Sequence, residues 1–149
     1  MVRPTWNEYF TQIVNVVRTR STCLRAQHGA VAVKGSKVLA TAYNGPPRGM
    51  PHCDVCAREA AGAKPGERYE LCNAIHAEQN LICQAAHTGV SLEGATVYVT
   101  GIPCWLCARM LVNSHIQAVR VTEVTRAYDK ATIAFMIEAG IEVEILNSK

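Results

Sequence analysis

Four residues in this chain have the types and spacing to do metal chemistry. His76 and Glu78 stand two apart, and after a gap of 27 residues from His76 come Cys104 and Cys107, with Pro103 directly before the pair. Neutral imidazole and thiolates suit zinc, and three protein ligands leave one tetrahedral position open. A metal with an open position lowers the pKa of bound water towards neutrality. Residues two apart on a helix do not share a face, so Glu78 does not join His76 in ligation. It is placed to move protons beside the metal. The competing readings are a structural zinc knuckle or a redox cysteine pair. A structural site needs a fourth protein ligand and has no use for Glu78.

The whole chain is expected to act in positioning these groups. Its 149 residues fit a single domain, 1–149, long enough to bury a proper core. No basic-then-apolar signal opens it and no apolar run reaches membrane-spanning length, so no membrane is expected. The expected compartment is the cytoplasm, or the host cytoplasm if the source is viral. Seven cysteines in that setting point to metal ligands and buried thiols more than to disulfides. A formal charge of +3 suits an anionic small molecule and is too weak to argue for duplex nucleic acid.

Thr5 and Glu8 form a capping-box pattern. Trp6, Tyr9, Phe10, Ile13, Val14 and Val17 then recur at helical spacing, which predicts a helix to about Arg18 with its aromatics in the core. Gly29 to Lys34 and Lys37 to Tyr43 read as a β-hairpin around Gly35-Ser36. Three prolines and two glycines exclude regular structure from Asn44 to Pro51. The irregular stretch continues to about Cys72, with a helical turn near Ala57 to Ala61, and a connection of that length is usually functional or tied down. Asn73 can cap a helix from Ala74 to about His87, which would put His76 in its first turn. Ala95 to Thr100 reads as a strand. Pro103 suits the first turn of the next helix. Ala118 to Val121 is a strand, Lys130 to Ala139 a helix closed by Gly140, and Ile141 to Leu146 a last strand. Strands alternating with helices after a hairpin predict an α/β fold, a three-layer α/β/α sandwich on a mixed sheet of about five strands.

His-x-Glu with Pro-Cys-x-x-Cys is the signature of the zinc-dependent nucleobase deaminases. The flanks narrow the resemblance. Arg20-Ser21-Thr22-Cys23, Gly29-Ala30-Val31-Ala32-Val33, Tyr43-Asn44-Gly45-Pro46-Pro47-Arg48-Gly49, His52-Cys53, Ile75-His76-Ala77-Glu78-Gln79-Asn80 and Gly94 to Thr100 follow in the order of the deoxycytidylate (dCMP) deaminases. The resemblance runs from about Trp6 to Val143 and implies the cytidine deaminase-like fold. Trp105 departs from it, since the family more often has a small or polar residue between the cysteines.

The implied reaction is dCMP plus water to dUMP plus ammonia, with activated water attacking C4 of the cytosine. His76, Cys104 and Cys107 would hold the catalytic zinc, and Glu78 would shuttle protons between water, ring N3 and the departing amine, work that suits a carboxyl of raised pKa. The Ala77 N–H and the N–H groups opening the Cys104 helix can hold the pyrimidine carbonyl. By resemblance Asn44 contacts the sugar 3′-hydroxyl or the base edge; Asn44 also reads simply as a turn residue before Gly45. Tyr128 resembles an aromatic that lines the family's pocket, and core packing is its other reading. A phosphate needs cations or N–H donors. Thr22 and Arg25 are the candidates, while Lys34, Lys37 and Arg48 also read as solvated surface charge. The family is often activated by dCTP and inhibited by dTTP, through a loop that here spans Asn44, Gly45 and Arg48. Mg²⁺ would accompany a triphosphate effector. The resemblance further implies a homo-oligomer, with a hexamer favoured.

Some dCMP deaminases carry a second, structural zinc. Cys23 and Cys53 match two of its ligands, but the histidines that complete it are missing before His76. Cys56 and Cys72 are expected in their place, closing a four-thiolate site, with His52 in reserve and buried free thiols as the other reading. Competing functions are deamination of CMP, dCTP, cytidine or a riboflavin intermediate, and a zinc-stapled binding protein without activity. A tRNA adenosine deaminase fits less well, for want of a basic C-terminal helix.

Overall fold

In a computed structural model, residues 1–123 and 130–146 are described. The expected opening helix forms as α1, Trp6–Arg18. Thr5 caps it, with Glu8 N donating to Thr5 Oγ1 (3.2 Å) and Thr5 N donating to Glu8 Oε2 (2.7 Å). The hairpin forms as β1, Gly29–Lys34, and β2, Lys37–Tyr43. A single helical turn, α2, spans Ala57–Ala60, and a 3₁₀ turn spans Tyr69–Leu71. Then follow α3 (Ala77–Thr88), β3 (Thr96–Val99), α4 (Trp105–Asn113), β4 (Ala118–Val121), α5 (Lys130–Glu138) and β5 (Glu142–Ile145).

The five strands form one mixed sheet in the order β2-β1-β3-β4-β5. β1 runs antiparallel to both β2 and β3, while β3, β4 and β5 are parallel. Parallel strands require helical crossovers, and α4 and α5 supply them. Alternation along β1 and β3 sorts the two faces. Val31, Val33 and Tyr98 pack against Phe10 and Val14 of α1. Ala30, Ala32, Val97 and Val99 share the larger core with Leu81 of α3, Leu111 of α4 and Met136 of α5. The result is the expected three-layer α/β/α sandwich. Of the aromatics of α1, Phe10 is buried, but Trp6 and Tyr9 stay about half exposed, with Trp6 stacked on Phe10.

Two helix starts differ from the sequence reading, and both differences move metal-ligating side chains. The helix expected from Ala74 begins at Ala77, with His76 as its N-cap in an extended conformation. The cause is a β-bridge between Gly45 and Ile75, in which Ile75 N donates to Gly45 O (2.8 Å) and Gly45 N to Ile75 O (3.2 Å). Pairing with the chain leaving β2 holds 75–76 extended, so Asn73 caps nothing. Likewise α4 begins at Trp105 with Cys104 as its N-cap, and Pro103 lies one residue before the cap.

α1 crosses β1 closely at Gly29. A Cβ there would stand 2.8 Å from Val14 O and 3.0 Å from Arg18 N, both backbone atoms that cannot step aside. Gly29→Ala should therefore destabilise the fold by about 1–3 kcal/mol, the usual effect of overpacking a tight contact. Chemical denaturation at equilibrium measures this; an unchanged midpoint would show that α1 is free to shift.

Candidate active site

Both helix starts point at one spot. His76 caps α3, Cys104 caps α4, and Cys107 is the third helical residue of α4. Cys104 Sγ and Cys107 Sγ each lie 3.4 Å from His76 Nδ1. Tetrahedral zinc with ordinary Zn–S and Zn–N bonds sets that separation at about 3.6 Å. The donor set and its spacing fit the ion, and Nδ1 is the nitrogen presented to it. Among the described residues this is the one set of three such side chains with all ligand atoms within 4.8 Å of one another. Gln79 holds the backbone at this point, its Oε1 accepting from His76 N at 3.0 Å.

Residues 4–123 match the family described as cytidine and deoxycytidylate deaminase zinc-binding region. The chain belongs to that family. It is 40% identical over 124 residues to the deoxycytidylate deaminase of Mycobacterium phage D29, covering 80% of this chain and 95% of that protein. It is 31% identical over 143 residues to the Schizosaccharomyces pombe deoxycytidylate deaminase, covering 95% of this chain but only 44% of the yeast protein. Its fold superposes with a TM-score of 0.81 on the dCMP deaminase of cyanophage S-TIM5, solved in complex with dCMP and dUMP. The identity there is 26%, over 98% of this chain and 100% of that one.

In this deaminase-family site, Glu78 is the second residue of α3 and is only 9% exposed. Burial pushes its carboxyl above the ordinary value of 4.5, with its own backbone amide and the His76 charge opposing. The Cys104 thiol is drawn down to about 4, chiefly by the hydrogen bond from Cys107, which is pushed up because it keeps the shared proton. A metal taking that place would displace the proton, which makes binding favour higher pH.

The other expected residues are spread around this centre. Ala77 is buried at the first position of α3, where helix N–H groups have no partner within the helix. Asn44 is buried and bonded at both ends of its amide: Oδ1 accepts from His28 N (2.8 Å) and Nδ2 donates to Ala26 O (2.9 Å). The amide thus ties the chain leaving β2 to residues 26 and 28, one residue from the Gly45–Ile75 bridge. Thr22 Oγ1 meets His52 Nδ1 at 2.6 Å. Arg25 Nη2 donates to Ala63 O (2.7 Å), while its Nη1 is buried with no hydrogen-bond partner among the described residues. Gly45 is buried and Arg48 exposed on the loop after β2. Tyr128 lies outside the described residues. Trp105 points away from the centre, half exposed against the Phe135 ring of α5 at 4.9 Å.

Cys23, Cys53, Cys56 and Cys72 all line one cavity of about 140 Å³, together with Thr22 and Arg58. All four are free thiols. They share this cavity, but among the described residues they do not form a close ligand set like that at His76. Sequence reasoning missed Tyr69, whose ring meets that of His76, and Arg58, whose guanidinium lies over the Tyr69 ring; the irregular stretch that carries them offers no periodic signal.

The buried carboxyl gives a signed expectation. With its folded value raised above 4.5, the folded metal-free protein keeps a proton that the unfolded chain has released. Stability must then fall as pH rises through the window that opens at 4.5 and closes at the raised value. Glu78→Gln removes the titration. Without metal it should match the wild type below that window and exceed its stability above it. Urea unfolding across pH tests this, and parallel pH curves for the two proteins would refute it.

Proposed function

We propose that this chain is a zinc-dependent hydrolase that converts dCMP and water to dUMP and ammonia. The deaminase chemistry is carried by one observation: two thiols converging on His76 Nδ1 with the buried Glu78 carboxyl beside them. The choice of dCMP is supported by likeness over nearly the whole chain to the cyanophage enzyme solved with dCMP and dUMP.

His76, Cys104 and Cys107 would hold the zinc, which when bound activates water as the nucleophile. Glu78 accepts one proton from the attacking water and passes it to N3 of the cytosine as the C4–O bond forms. It then takes the second proton, from the new C4 hydroxyl, and delivers it to the amine as the C4–N bond breaks, leaving the C4 carbonyl of dUMP and ammonia. A carboxyl whose pKa is raised by burial is matched to taking and giving protons near neutrality. The N–H of Ala77 and those opening α4 bind the pyrimidine carbonyl. Asn44 faces the sugar with its remaining hydrogen-bonding capacity, Thr22 and Arg25 take the phosphate, and Tyr128 lines the pocket. The unpartnered Arg25 Nη1 supports that assignment, since a buried guanidinium nitrogen calls for an acceptor.

The proposal extends to regulation and assembly. Residues 1–149 act as one catalytic domain, working as a homo-oligomer, with a hexamer favoured, in the cytoplasm. dCTP, as its Mg²⁺ complex, activates and dTTP inhibits through Asn44, Gly45 and Arg48. Among the described residues no helix is long and apolar enough to cross a membrane.

Purified protein incubated with dCMP, CMP, deoxycytidine and dCTP in parallel, with ammonia release followed, tests the reaction. Turnover of dCMP is expected, reduced roughly 10²–10⁴-fold or more in Glu78→Gln. Turnover of another substrate instead would discard the roles given to Thr22, Arg25 and Asn44. No turnover in zinc-loaded protein would leave a binding protein.

A second zinc held by Cys23, Cys53, Cys56 and Cys72 is part of the same reading, supported by their sharing one cavity. Native mass spectrometry should find two zinc ions per chain, and one in Cys56→Ser or Cys72→Ser. A wild-type chain with a single zinc would mean that these thiols stay free.

A further inference from the structure

The stretch between α2 and α3 places an aromatic ring on the metal-facing histidine. The Tyr69 and His76 rings meet edge to face, with centroids 5.1 Å apart and planes inclined at 66°. Such a contact is directional, because the positive edge of one ring seeks the negative face of the other. It has a use at this position. The second torsion of a histidine lies in a broad well, so the side chain alone does not fix the ring plane. Gln79 ties this helix start from two sides, its side chain accepting from His76 N and its own backbone N–H meeting the His76 side chain, but neither bond bears on the face of the ring. Tyr69 presses on the ring itself, while Nδ1 is turned to Cys104 and Cys107.

Tyr69 is in turn held by Arg58. The Arg58 guanidinium carbon lies 4.5 Å from the centre of the Tyr69 ring. Its Nε donates to Glu67 O at 2.8 Å, and its Nη2 reaches Lys64 O at 3.5 Å. The residue is only 9% exposed, in a segment where Arg68, Glu67 and Lys64 all stay at the surface. Burying a cation is costly unless its donors are satisfied. Here the carbonyls of Glu67 and Lys64 accept from two of its nitrogens and hold the guanidinium over the tyrosine. A chain of contacts thus runs from the 64–67 turn through Arg58 and Tyr69 to His76. Sequence places it between Cys56 and Cys72, so the cysteine-lined cavity and the metal-facing histidine are joined by one short segment.

We infer that Tyr69, clamped by Arg58, is a positioning residue that fixes the His76 ring for metal binding. The inference rests on His76, Cys104 and Cys107 binding zinc, and is independent of which nucleotide is deaminated.

The test is zinc affinity by competition with a chromophoric chelator, with the visible absorption of the cobalt-substituted protein as a second readout. Tyr69→Leu should weaken zinc binding about 10–100-fold, the usual effect of removing a partner that orients a metal-bound histidine. It should also shift the cobalt bands. Tyr69→Phe keeps the ring and should restore both. Arg58→Met leaves Tyr69 in place but unclamped and should fall between, which keeps the test decisive if Tyr69→Leu does not fold. Wild-type affinity and unshifted bands in Arg58→Met and Tyr69→Leu would overturn the inference. So would a rise in KM alone, which would make Tyr69 a wall of the substrate pocket. Loss of zinc binding from the wild type itself, or its persistence in Cys104→Ser with Cys107→Ser, would instead strike the zinc reading on which this rests.

Discussion

The Gly45–Ile75 bridge is the constraint on which the site's geometry depends. It is a pair of backbone hydrogen bonds, worth little by itself. Its effect is to hold the chain extended up to His76, so that α3 starts at Ala77, three residues later than the sequence pattern suggests. An N-cap side chain leaves the helix axis at the helix's mouth, whereas a side chain in the first turn leaves sideways. Were Ile75 helical, the imidazole would swing away from the α4 thiols. The same bridge fixes the start of the proline-rich loop, so Asn44 and His76 are set relative to one another by the same two hydrogen bonds.

The second ligand pair is positioned by the sheet. β3 ends at Val99, buried in the parallel part of the sheet against β4. The chain leaves it through Thr100, whose Oγ1 accepts from Gly29 N at 3.2 Å, and turns into α4 at Cys104. Two helices thus open side by side, at the mouths where unpaired N–H groups and the positive dipole ends lie. Thiolates, a carboxylate and an anionic nucleophile all gain from that field. The pull on the Cys104 thiol, down to about 4, comes first from its neighbour Cys107, so the pair stores a single proton before any metal arrives.

Much of this was legible in the sequence, for identifiable reasons. The short apolar run of Gly29–Lys34 and the helical repeat of α1 report burial directly, and burial is what folds the sandwich. Cys104 and Cys107 are legible because a short i, i+3 spacing works in any helix start. What stayed hidden came from contacts between distant parts of the chain. Ile75 carries no mark that it will pair with Gly45, so the helix start was read too early. Asn44 looked like a ligand residue or a turn former, and only the fold shows its amide bonded to residues 26 and 28. Tyr69 lies in a stretch without periodicity, and its meeting with His76 depends on how the 64–67 turn folds over Arg58.

The long connection between β2 and α3 is where these threads meet. A segment of that length gains few backbone hydrogen bonds of its own, and ordering it costs conformational entropy at every residue. Here it is tied at separate points: Arg25 to Ala63, Thr22 to His52, Arg58 to Glu67, and Gly45 to Ile75. Three of those ties begin in the 20–25 loop or in β2's exit, and the fourth holds Arg58 over the Tyr69 ring that touches His76. The polar groups assigned to the phosphate and the groups that frame the metal-facing histidine are therefore parts of one tied surface. Loosening any of them would disturb nucleotide binding and ligand geometry together. That coupling explains why a segment with so little regular structure of its own is packed this closely against the helix start that carries the chemistry.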